Sequence, residues 1–167
     1  MYKLATTLLV LIFAAIVSEP AAAADDAAIL GCSREGVKVG MTYIRHPDAK
    51  KLEEAVGIFK SNRENVDYPA GTIIQLVPHE VMVKRTKAEF PNSNGWEFFI
   101  LNVSGKTATV SARGDTASNP LGTCISCHGP AAKHDYVCAK GHGCGPIPVT
   151  DEQIAAIQNQ DPRCPAH

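Results

Sequence analysis

Cys124 and Cys127 stand two residues apart, and His128 follows at once. That spacing is the one used for covalent attachment of haem c, because each thiol can add to one vinyl group of the ring. The ring is then pinned beneath the chain, and His128 is carried to the iron as its proximal ligand. The rival chemistry for the same residues is a redox or zinc Cys-x-x-Cys pair beside an unrelated histidine.

The start of the chain favours the haem reading. Lys3, the apolar residues 8–17 and the small residues Ala22, Ala23 and Ala24 follow the order of a secretory signal peptide. Residues 1–24 are expected to be removed, which leaves residues 25–167 as a single haem c domain in the periplasm or outside the cell. An apolar run of about ten residues is too short to span a bilayer. A retained anchor is the alternative to cleavage, and no later stretch is long enough to cross a membrane.

Six cysteines in an exported chain need partners. With Cys124 and Cys127 assigned to haem, Cys32, Cys138, Cys144 and Cys164 remain, an even number that suggests two disulfides. Cys138 with Cys144 would close a small glycine-rich loop, and Cys32 with Cys164 would tie the two ends together. The other two pairings are equally allowed, and a zinc site on Cys138 and Cys144 is a further alternative. A formal net charge of −1 argues against nucleic acid as a partner.

The elements that must position the haem motif read as α+β, mainly antiparallel sheet with flanking helices. Residues 25–40 carry one informative residue, Cys32. A short strand is expected at residues 41–44. A helix then starts at Pro47 and Asp48, with Leu52, Ala55, Val56 and Phe59 on one face. Residues 72–77 form a strand that Pro78 ends or places at an edge. Residues 81–83 form a second. After a turn at residues 91–95 comes the strongest strand, residues 96–103. Trp96, Phe98 and Ile100 lie on one face and Phe99, Leu101 and Val103 on the other, so both faces are expected to be covered. Residues 104–106 turn the chain into a hairpin partner at 107–111. A polar loop over residues 114–122 leads to a short helix carrying His128, Ala131 and Ala132. The last helix is capped by Thr150 with Gln153 three residues on, and presents Ile154 and Ile157 on one face.

A haem motif near the C-terminus of an antiparallel β protein differs from the all-helical electron carriers. Met82-Val83-Lys84 and then Asn94-Gly95-Trp96-Glu97-Phe98-Phe99-Ile100 resemble the cytochrome P-460 family. So do Gly71-Thr72-Ile73-Ile74, and Cys124-Ile125-Ser126-Cys127-His128 followed by Lys133-His134-Asp135-Tyr136-Val137. The resemblance implies a β protein, often a homodimer, with haem on Cys124 and Cys127, His128 proximal and the opposite side of the iron open. The family includes hydroxylamine-oxidising enzymes whose haem carries an extra bond to a lysine. It also includes β-sheet relatives of cytochrome c-prime, which bind nitric oxide or carbon monoxide. An ungapped match puts Leu76 at the cross-linking position, which disfavours hydroxylamine oxidation. Lys84 matches a different family lysine, and a shifted register would bring it into play.

Axial ligation decides the function class. Met1 leaves with the signal, Met41 and Met82 remain, and no methionine follows His128. Met82 reads as sheet core before it reads as a ligand. His46, His79, His134, His142 and His167 are the other candidate sixth ligands. Glu97, Glu80 and Arg45 are candidate distal acids or hydrogen-bond donors, with solvated charge as the plainer reading. Asp135 is a candidate acceptor that would orient His128, with Tyr136 beside it, and Trp96, Phe98 and Phe99 read as core. The expected function is binding of a small ligand such as nitric oxide or another nitrogen oxide at a five-coordinate haem c iron, with redox turnover and a redox partner protein as further expectations. The alternatives are a six-coordinate electron-transfer cytochrome c and a disulfide-rich exported binding module without haem.

Overall fold

The computed structural model describes residues 21–166. Residues 1–20 of the expected signal peptide, and the candidate ligand His167, lie outside the described residues. Helix α1 spans Ala21–Leu30, strand β1 Val37–Val39 and strand β2 Thr42–Arg45. Residues 25–40 are therefore structured, contrary to the featureless reading. The alanines of α1 run on from those of the signal peptide, so its helical pattern is masked in the sequence. Its anchor is Ile29, which is fully buried.

Helix α2 spans Ala49–Ser61. It begins there because Asp48 is its N-cap, accepting hydrogen bonds from the backbone N–H groups of Lys50 and Lys51 at 2.9 and 3.0 Å. Its apolar face is Leu52, Ala55, Val56 and Phe59, as expected, with the addition of the buried Ile58.

Four longer strands follow: β3 (Ile73–Val77), β4 (Glu80–Lys84), β5 (Trp96–Ser104) and β6 (Thr107–Arg113). Together β1 to β6 form one sheet in which each strand is antiparallel to the next in sequence. Pro78 ends β3, which is an inner strand paired with β2 and β4.

β5 is the keel of the sheet. Trp96, Phe98 and Ile100 join Ile44, Ile74 and Met82 on one face, which α2 covers. Phe99, Leu101 and Val103 join Ile73, Val81 and Val83 on the other, which Ile29 and Leu30 of α1 cover. Each large apolar side chain fully removed from water contributes about 1.5–3 kcal/mol, so the two-sided apolar pattern of β5 is what holds helices on both faces. β6 alternates half-buried and exposed residues, as an outer strand with one wet face does.

Residues expected as a polar loop contain a two-stranded ribbon, β7 (Ser118–Asn119) with β8 (Gly122–Thr123). It leads into α3 (Cys124–His128) and a 3₁₀ segment over Gly129–His134. Helix α4 spans Asp151–Asn159 with the expected capping box between Thr150 and Gln153. It docks through buried Ile154 and through Gln158, whose amide donates to the carbonyls of Met41 and Leu76 at 2.6 Å each.

Cys32 is bonded to Cys164 and Cys138 to Cys144. The zinc alternative for Cys138 and Cys144 is thereby corrected, since both thiolates are consumed. Among the described residues, no helix is long and apolar enough to cross a membrane.

Candidate functional site

Thr123 starts α3: its side-chain oxygen accepts from the Ser126 N–H at 3.3 Å, and the Ser126 hydroxyl donates back to the Thr123 carbonyl at 2.6 Å. One turn of helix then sets Cys124, half-buried, and Cys127, exposed, as the two cysteines left as thiols. Burial pushes the Cys124 thiol up to about 11, and the carboxylate of Glu80 adds to the effect.

His128 ends α3 and turns inward onto the sheet. Its ring lies 5.0 Å from that of Phe98, tilted by 53°. Nδ1 donates to the carbonyl of Tyr136 at 2.7 Å, which fixes the tautomer and leaves Nε2 as the nitrogen for a metal. Burial lowers the pKa of His128, against the opposing effects of the Tyr136 hydrogen bond and of Glu80. A neutral imidazole is the form that binds iron.

The expectation that Asp135 orients His128 directly is corrected. The backbone of Tyr136 does so, and Asp135 turns away to Lys84. Lys84 Nζ lies 2.6 Å from both carboxylate oxygens of Asp135 and also donates to the Asn94 carbonyl at 2.6 Å. Asp135 further accepts from the Tyr68 N–H at 2.8 Å and the Asn94 amide at 2.6 Å. Burial pulls the Lys84 ammonium down from its ordinary value and pushes the Asp135 carboxyl up, with the ion pair opposing both. The turn that follows is left-handed at two consecutive residues, Asp135 (φ 53°) and Tyr136 (φ 61°). Left-handed backbone costs an ordinary L-residue roughly 1–2 kcal/mol, so the surrounding bonds must hold it.

The remaining candidates separate by face. Glu97 is buried on the far side of the sheet, accepting from Arg85 at 3.0 Å and Arg113 at 2.6 Å. Arg45 is on that far side too, bound to the Ala28 carbonyl and the Gln75 amide oxygen. Neither is on the His128 face. Glu80 is on it, aligned along β4 with Met82 and Lys84, and its carboxylate accepts from Asn119 at 2.6 Å. Met82 is buried directly across the strands from Phe98, as core. Trp96, Phe98 and Phe99 are core as expected.

Three histidines have ring nitrogens committed to structure. His46 accepts from the Asp48 N–H and bonds the Ala70 carbonyl, both at 2.9 Å. His79 sits in the β3–β4 turn, with Nδ1 at 3.3 Å from the Leu101 carbonyl. His142, in the disulfide loop, bonds the Val137 carbonyl at 2.5 Å. Its ring stacks on that of the buried His134, with centroids 4.0 Å apart and planes within 8°.

Burial lowers the pKa of His142, and a charge on His134 would lower it further, while the bond to Val137 opposes them. The folded chain thus keeps His142 neutral, whereas the unfolded chain takes up a proton near the ordinary value of about 6.5. Stability is full above that pH and declines below it. Between pH 7 and pH 5 the urea midpoint is expected to fall more for the wild type than for His142→Phe, which retains a stacking ring. Equal declines for the two proteins would show that the stacked pair carries no pH dependence.

The donor set fits haem better than a bare metal. Among the described residues no three of His, Cys, Asp and Glu are grouped to hold an ion, and a zinc centre at Cys124 and Cys127 needs four ligands. Two buried donors near this core, Tyr68 Oη and Trp96 Nε1, have no hydrogen-bond partner. Their rings meet edge-on at 5.6 Å in the same apolar cluster as Phe98.

A Cys-x-x-Cys-His helix thus lies against one face of an antiparallel sheet. Residues 58–139 match the model of the cytochrome P460 family, a match that supports the resemblance read from the sequence and suggests a haem-binding cytochrome. No curated protein and no solved structure matches the chain. Sequence reasoning missed the Lys84–Asp135 pair. Its one visible signal is a lysine at an inward position of the apolar strand Val81-Met82-Val83-Lys84.

Proposed function

We propose that the mature chain, residues 25–167, is an exported single-domain monohaem c-type cytochrome that binds a small ligand, nitric oxide or another nitrogen oxide, at a five-coordinate iron. Cys124 and Cys127 attach the ring and His128 is the proximal ligand. The bound haem supplies the iron that takes the small ligand and changes oxidation state. The observation that carries the reading is the His128 Nδ1 bond to the Tyr136 carbonyl, which leaves Nε2 as the nitrogen that could bind iron beside the two remaining free thiols. Export is supported by the signal-like start and by two disulfides, which persist in oxidising compartments.

An open distal side is supported by the engagement of His46 and His142 in structural hydrogen bonds and by the place of Met82 in the sheet core. Hydroxylamine oxidation stays disfavoured. Leu76 matches the cross-link position, and Lys84, the substitute a shifted register would offer, is spent on Asp135. Redox turnover would require a partner protein, and a homodimer is the assembly the family suggests.

Carbon monoxide added to the ferrous protein is expected to shift the Soret band within mixing time. A spectrum unchanged by carbon monoxide would replace this reading with the six-coordinate electron carrier. A colourless protein after expression with cytochrome c maturation factors would replace both with a haem-free binding module.

A further inference from the structure

We propose that Lys84 and Asp135 are positioning residues for the proximal histidine, setting the strength of the His128 hydrogen bond and through it the redox poise of the iron. The inference rests on the reading of His128 as proximal ligand.

The coupling runs through backbone. Lys84 is at the end of an inner strand, where β-sheet pairing to Trp96 fixes its position. Its ammonium is 5.2 Å from the centre of the Trp96 ring and is buried, as is the Asp135 carboxylate. Asp135 is therefore tethered to the sheet by charge, and to Tyr68 and Asn94 by hydrogen bonds. The next carbonyl along, that of Tyr136, is the acceptor for His128. The one after, that of Val137, is the acceptor for His142. Two imidazoles thus hang from consecutive peptide groups of one left-handed turn, and Lys84 is the bolt that holds the turn to the sheet.

A firm bond from Nδ1–H to a carbonyl gives the imidazole partial anionic character, strengthens its bond to iron and favours the ferric state. Loosening the turn weakens that bond and favours the ferrous state.

The test is the double variant Lys84→Met/Asp135→Ala in the haem-loaded protein. It removes both charges together, so the net charge near the ring is unchanged. A buried ion pair exchanged for apolar groups is commonly tolerated by the fold. Alanine, lacking the local hydrogen bonds that help Asp hold a positive φ, relaxes the turn. The expected result is a midpoint potential raised by a tenfold shift in the oxidised-to-reduced ratio, about 59 mV for one electron. The iron–histidine stretching frequency of the ferrous protein should fall in parallel. Lys84→Met/Asp135→Asn, which also leaves no unpaired buried charge and keeps the tolerance for positive φ, gives a second reading of the same frequency, again lower, should the first double variant not fold. Potential and frequency both unchanged in a variant retaining covalent haem would overturn the inference and leave the proximal role of His128 standing. Absence of covalent haem from the wild type would overturn the underlying assignment itself.

Discussion

Haem will be absent from the denatured band of a Cys124→Ala/Cys127→Ala variant, and present in that of the wild type, when both are stained for peroxidase activity on a denaturing gel. The expected loss is complete, because the two proposed thioether bonds would be the only links to survive denaturant and no other thiol is available. Cys32, Cys138, Cys144 and Cys164 are all consumed in disulfides. The variant should still fold. Cys127 is exposed and Cys124 only half-buried, so neither truncation empties the core. Persistent haem staining in the variant would sink covalent attachment at this site.

The second large effect concerns the ends of the chain. In the loop-closure picture, a disulfide stabilises in proportion to the logarithm of the loop it closes. Cys32–Cys164 closes a separation of 132 residues and Cys138–Cys144 one of 6, which predicts about 5 kcal/mol for the first and about 2 kcal/mol for the second. Noncovalent anchors at the same junction soften the first figure. Asp161 accepts from the Ser33 N–H at 2.9 Å, and Arg163 bonds both Asp161 and the Pro78 carbonyl. Cys32→Ala/Cys164→Ala is therefore expected to lose about 3–5 kcal/mol, read as a urea midpoint lowered by about 2 M at a typical slope. Removal of the short bridge should cost clearly less. The reverse order would mean that the long bridge adds little to the anchors already there.

The sheet was legible because its signals are local and redundant. β5 announces itself by apolar residues on both faces, α2 by Asp48 and a helical stripe, α4 by Thr150 and Gln153. The haem motif was legible for the same reason: three reactive side chains at fixed offsets. What escaped was made by distance or by backbone. α1 hid in alanines continuous with the signal-like segment. The contact of Lys84 with Asp135 spans 51 residues. The left-handed turn at Asp135 and Tyr136 uses residues that seldom mark one, so a carboxylate next to the motif looked like the natural partner for His128. Which acidic residues face the site depends on strand parity. Glu80 and Glu97 are equally plausible in sequence, and one position in register puts them on opposite sides of the sheet.

The sheet order has a consequence for how such a molecule comes into being. From β2 to β6 each strand hydrogen-bonds to its immediate predecessor, without a single crossover. A chain emerging from its amino end can lay down all six strands before residue 124 appears. The segment that carries the two free thiols then arrives on a wall already built, with its neighbours able to find their own bridges apart from it.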